Sequence, residues 1–104
     1  MALEPYTKIT VFSGLTNYYE TLQFNNKKPK YNFGSGLMCG MMLSNIAMIK
    51  GHWEGCSGKP SDVTNKLIES LLLSIRDTAF YLVERYNWKK EDLVNIETEF
   101  IRSI

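Results

Sequence analysis

The sequence predicts a mainly α-helical protein: a small bundle of three or four helices with a long central helix at about residues 62–86, and a short N-terminal β element as an open alternative. Three observations carry that expectation. After Ser61, apolar residues recur at spacings of three and four; the segment Gly36 to Lys50 is apolar on nearly every side; and the stretch with strand character, Thr7-Lys8-Ile9-Thr10-Val11-Phe12, is short. A chain of 104 residues, 44% hydrophobic and 22% charged, fits one folded domain over residues 1–104 and lies far from the composition of disorder.

In chain order, Leu15, Tyr18, Tyr19 and Leu22 suit a helix near 15–24, with Ser13-Gly14 as a turn before it. Residues 6–12 are either a strand or the start of that helix. The next helix, Gly36 to Lys50, places Leu37, Met41 and Met48 on one side and Met38, Met42, Ile46 and Ile49 on another, leaving Asn45 and Lys50 as its clearly polar residues. Such a helix is expected to be buried nearly all round. Its Gly36, Gly40, Ser44 and Ala47 form a row of small residues that admits a second backbone closely. The favoured use of that row is to seat the long helix of the same chain; a contact between subunits is the other.

The long helix carries Ile68, Leu71, Leu72, Ile75, Ala79, Leu82, Val83 and Tyr86 as its core stripe. Ser61 is placed to cap its start, Asp62 to add negative charge to the first turn, and Asn87 to close it in the left-handed conformation. At 1.5 Å per residue it is about 37 Å long, so the other helices must pack along it. A last helix follows over about 89–103, with Leu93, Ile96, Phe100 and Ile104 as its stripe.

The formal net charge is only +1, which predicts no strong general attraction to nucleic acid or an anionic membrane. The charge is unevenly spread, however: residues 21–53 hold Lys27, Lys28, Lys30 and Lys50 and no acid. Within that window a basic, aromatic loop runs through Gly34-Ser35-Gly36 into a helix. Free N–H groups at a helix start, backed by Lys27, Lys28 and Lys30, are a candidate phosphate or nucleotide site, with Tyr31, Phe33 or Trp53 available to stack a base. A solvated loop with a helix-starting turn explains the same residues and is the more frequent outcome for so short a motif. Ser57, Gly58 and Lys59 repeat the pattern before the long helix, although Pro60 and the glycine spacing break any match to a phosphate-binding P-loop.

Catalytic machinery finds no pattern. His52 is the single histidine, and although Cys56 lies four positions on, no third group orients a base; Cys39 and Cys56 lack metal-ligand spacing, and no carboxylate pair gathers a metal. No catalytic residue, metal or cofactor is expected. On the charged side of the long helix, among Lys66, Glu69, Arg76, Asp77 and Glu84, stand Leu73 and Phe80. They read either as an apolar anchor with a polar rim or as residues covered by the N-terminal segment. The sequence therefore points to a non-enzymatic binding or regulatory protein, such as an inhibitor, that forms a homo-oligomer and binds a protein partner through helical faces. Its interface residues are Gly36, Gly40, Ser44, Ala47, Leu73 and Phe80. A small-ligand binder that sequesters a phosphate or nucleotide is the alternative. With no basic-then-apolar leader at Met1-Ala2-Leu3-Glu4-Pro5 and no bilayer-length apolar run, a cytoplasmic location is expected.

Overall fold

The computed structural model describes residues 8–55 and 61–103, which form four helices: α1 (Lys8–Thr21), α2 (Phe33–Gly55), α3 (Asp62–Tyr86) and α4 (Lys90–Ser103). No strand occurs among the described residues. Residues 8–12 belong to α1, and Ser13 and Gly14 lie inside it rather than in a turn. Residues 6 and 7 lie outside the described residues. The reason is burial. In a helix, Val11, Leu15 and Tyr19 fall on one face, and all three are buried in the common core. Removing three large apolar groups from water contributes about 1.5–3 kcal/mol each, more than the roughly 1 kcal/mol span of β propensity.

The helix α2 starts at Phe33, three residues before the expected Gly36, because Asn32 caps it. The Ser35 N–H donates to Asn32 Oδ1 and the Asn32 N–H to Ser35 Oγ, each at 3.0 Å. This is the reciprocal logic of a capping box with serine in the place of glutamate. The helix α3 has the ends that its sequence announces. Ser61 Oγ accepts from the Thr64 N–H at 3.2 Å, and Asn87 closes the other end at φ 58°, ψ 29°. The Leu82 carbonyl accepts there from the N–H groups of both Asn87 and Trp88.

Ile68, Leu72, Ile75, Ala79, Leu82 and Val83 of α3 are buried with Met42, Ile46 and Ile49 of α2 and Leu93 and Ile96 of α4. Leu71 and Tyr86 sit half-buried at the edge of this core. The Phe100 side chain and Ile104, also expected in the α4 stripe, lie outside what is described. The molecule measures 44 × 25 × 20 Å, with a radius of gyration of 14.3 Å against about 13 Å for a compact chain of this length. Long helices side by side leave a large outer surface, and that surface holds the candidate sites. Among the described residues no helix is long and apolar enough to cross a membrane.

Candidate interaction surfaces

Only one half of α2 faces the core. Ser35, Met42, Ile46 and Ile49 are buried, and Met38, Cys39, Asn45 and Trp53 are half-buried beside them. Asn45 Nδ2 donates to Ser74 Oγ of α3 at 3.0 Å, tying this half to the neighbouring helix. The opposite half is open. Phe33 is 82% exposed, Leu37 55%, Met41 51%, Met48 49% and Leu43 39%. Burial nearly all round, expected from composition, is therefore not what the fold provides: four helices can cover one side of α2 and no more.

The small row lies on the open half. Gly36, Gly40, Ser44 and Ala47 are all exposed, and a Cβ placed on Gly36, Gly40 or Gly51 would meet no atom within 4 Å. The row does not seat α3, contrary to the favoured reading. α3 is met instead by the half that carries Met42, Ile46 and Ile49, where large side chains fill the space between the helices. The result is an exposed helical face without a charged residue from Phe33 to Ile49. Ordinary surface helices carry charge on their outer side, and extended apolar patches on soluble proteins mark interaction sites.

A second surface lies on α3. Leu73 and Phe80 are 53% and 50% exposed, so the described part of the N-terminal segment does not cover them. Lys66, Glu69, Asp77 and Glu84 around them are exposed. Leu73 edges a hollow of about 140 Å³ between α1 and α3, lined also by Val11, Gly14, Glu69 and Arg76. The Arg76 guanidinium lies 5.4 Å from the centre of the Tyr18 ring, and the Tyr18 hydroxyl donates to the Arg76 carbonyl at 3.1 Å. Burial pushes the Tyr18 pKa up, the Asp77 charge adds to the rise, and the Arg76 charge opposes it. The phenol therefore stays protonated and keeps α1 fastened to α3 through the neutral range.

The basic loop is held by its backbone while its lysines stay outside. The Lys30 N–H donates to the Tyr86 carbonyl at 2.8 Å, Trp88 Nε1 to the Lys30 carbonyl at 2.9 Å, and Lys89 Nζ to the carbonyls of Lys27 and Asn25. Asn87, already the closing residue of α3, also accepts from Asn25 Nδ2 at 3.0 Å. Lys27, Lys28 and Lys30 are exposed and form no ion pair with a described residue. The helix start behind them is differently used. Ser35 is buried and spent on the Asn32 cap, and Gly34 lies against the Tyr86 hydroxyl, which a Cβ there would overlap. The structure thus gathers the three lysines on one loop but points its helix N-terminus into its own cap. Ser57, Gly58 and Lys59 lie outside the described residues.

Sequence reasoning missed two features. Among the described residues Phe33 is the most exposed large apolar one, and it stands at the head of the open face; the Asn32-x-x-Ser35 spacing was the signal that α2 reaches back to include it. The clamp of Asn87, Trp88 and Lys89 on the loop carbonyls joins residues about sixty positions apart, and no local pattern announces it. Comparison of the chain with protein-family models, with curated proteins and with solved structures finds no match.

Proposed function

We propose that this protein is a non-enzymatic binding or regulatory protein that self-associates and engages a protein partner through helical faces. The observation that carries the reading is the open half of α2, an apolar and uncharged surface headed by Phe33. The Leu73/Phe80 pair on α3 supports it with a different chemistry, since apolar anchors within a rim of charges are the usual anatomy of a partner-binding patch. A lone histidine and scattered carboxylates support the non-enzymatic part of the reading.

The test is the double variant Leu73→Asp with Phe80→Asp. Both side chains are half exposed, so helicity by circular dichroism is expected to persist. Binding to a partner recovered from cell extract by the native protein is expected to be lost, because an interface anchor commonly contributes at least about 2 kcal/mol and a buried unpaired carboxylate adds desolvation. Unchanged helicity together with an unchanged set of bound proteins would sink the role given to these residues.

One observation favours a second reading, in which a phosphate or nucleotide binds at the basic loop: Lys27, Lys28 and Lys30 stand exposed and without an ion pair among the described residues. The cap already spent on Ser35 weighs against it, since the donors that would cradle an anion are fewer.

A further inference from the structure

We infer that the outer half of α2 is a two-fold interface with a second copy of this chain, in which the two α2 helices lie side by side and parallel. The inference rests on the reading that helical faces are the working surfaces, and it assigns this face to self-association, leaving the Leu73/Phe80 face for the foreign partner.

Area supports a dimer. Half the circumference of the uncharged stretch from Phe33 to Ile49 offers roughly 400–450 Å², about half of what a standard interface of about 800 Å² per partner takes, and the last turns of α2 extend it. Further area lies next to it, in the groove of about 240 Å³ between α2 and α4 lined by Cys39, Leu43, Trp88, Asn95 and Ile96 and by Asp92, whose carboxylate already accepts from the Tyr31 hydroxyl and the Lys89 N–H. Charge supports a second copy over a foreign chain. A foreign partner is selected by charges at the rim, and from Phe33 to Ile49 this helix has none. Burying it against an identical neutral face strands no ion, and apolar area removed from water on both copies drives the contact.

The order of residues around the helix then sets the direction. At 100° per residue, Phe33, Gly40, Ser44 and Gly51 run along the midline of the open half. Leu37, Met41 and Met48 form a ridge on one flank, and Gly36 and Ala47 form a shallow groove on the other, with Leu43 at its outer margin. A two-fold axis running along the helices sets the ridge of each copy over the groove of the other, twice, as a symmetric contact requires. An axis across the helices makes them antiparallel and sets ridge against ridge. The parallel arrangement fills the groove and brings the small midline residues together, where the absence of Cβ atoms at Gly40 and Gly51 permits close approach.

Light scattering on the native chain at tens of micromolar is expected to give twice the 12.0 kDa chain mass. Ala47→Glu and, separately, Met41→Lys, both at exposed positions, are expected to halve that mass with helicity unchanged. Leu73→Asp with Phe80→Asp is expected to keep the dimer. Spin labels at Lys30→Cys and at Gly55→Cys, exposed positions that bracket α2 outside the stretch from Phe33 to Ile49, each in a Cys39→Ser, Cys56→Ser background, read the direction. A parallel pair gives the shorter distances, similar at both sites, whereas an antiparallel pair must exceed about 34 Å at one of them, since the sites bracket a helix of 23 residues, about 34 Å long. A monomer mass for the native chain overturns the inference, as does a dimer that survives both α2 variants. A dimer lost only in the Leu73/Phe80 variant overturns it while leaving the helical-face reading standing, and one long distance overturns the parallel arrangement.

Discussion

Gly34 shows how a single missing methyl group positions two segments. It lies in the first turn of α2, against the hydroxyl of Tyr86 in the last turn of α3, and a Cβ there would overlap that oxygen and come within 3.2 Å of Cζ. The Tyr86 ring is half-buried against the core and packs edge-on to the Tyr81 ring with 6.1 Å between centroids, which limits its room to retreat. Gly34→Ala is expected to destabilise the fold by about 1–3 kcal/mol, the usual cost of forcing bulk into a filled contact. Removing the hydroxyl in the double variant with Tyr86→Phe is expected to recover part of the loss. Urea unfolding of the two single variants and the double variant measures this coupling, and simple additivity of the two effects would show that the contact is not tight.

At the scale of the element, the start of α2 depends on two side chains. Asn32 and Ser35 satisfy each other's backbone N–H groups, and the Ser35 hydroxyl also donates to the Asn32 carbonyl at 3.1 Å. Asn32→Ala is expected to cost about 1 kcal/mol, whereas Asn32→Ser, which keeps a capping oxygen, is expected to cost much less. Chemical denaturation compares the two, and equal losses would mean that the side chain is not what holds the helix end. The consequence reaches the open face, because the first turn presents Phe33. Fraying of that turn is expected to lower helicity slightly in Asn32→Ala and to weaken self-association in proportion to the role of Phe33.

At the scale of the whole molecule, stability reports on binding. A ligand held only by the folded chain raises the unfolding temperature by mass action, so inorganic phosphate or a nucleotide bound at Lys27, Lys28 and Lys30 is expected to raise it, and neutralising the three together is expected to remove the rise. Thermal melts across a nucleotide panel measure this; no shift for any member would discard the phosphate reading and leave the helical faces as the working surfaces. The elongated shape favours that outcome. A chain 44 Å long and 20 Å thick, with its helices side by side, keeps more surface open than a compact one, and here much of that surface is apolar helix.

The sequence by itself determined α3 almost completely. Its stripe, its Ser61 cap and its Asn87 closure are local signals, acting within one or two turns, and each stands where the periodicity placed it. Basic residues 27, 28 and 30 were legible in the same way, as an exposed loop before a helix. Tertiary structure decided what local energies leave nearly balanced. Residues 8–12 could have entered a strand or a helix, and burial of Val11, Leu15 and Tyr19 on a single face settled it for the helix. In α2 the pattern could not say which apolar side turns inward, because both sides are apolar; the shape of the α3 and α4 surfaces chose Met42, Ile46 and Ile49. That choice left Phe33, Leu37, Met41 and Met48 outside, since the hydrophobic effect rewards any burial but only a neighbouring surface makes burial available.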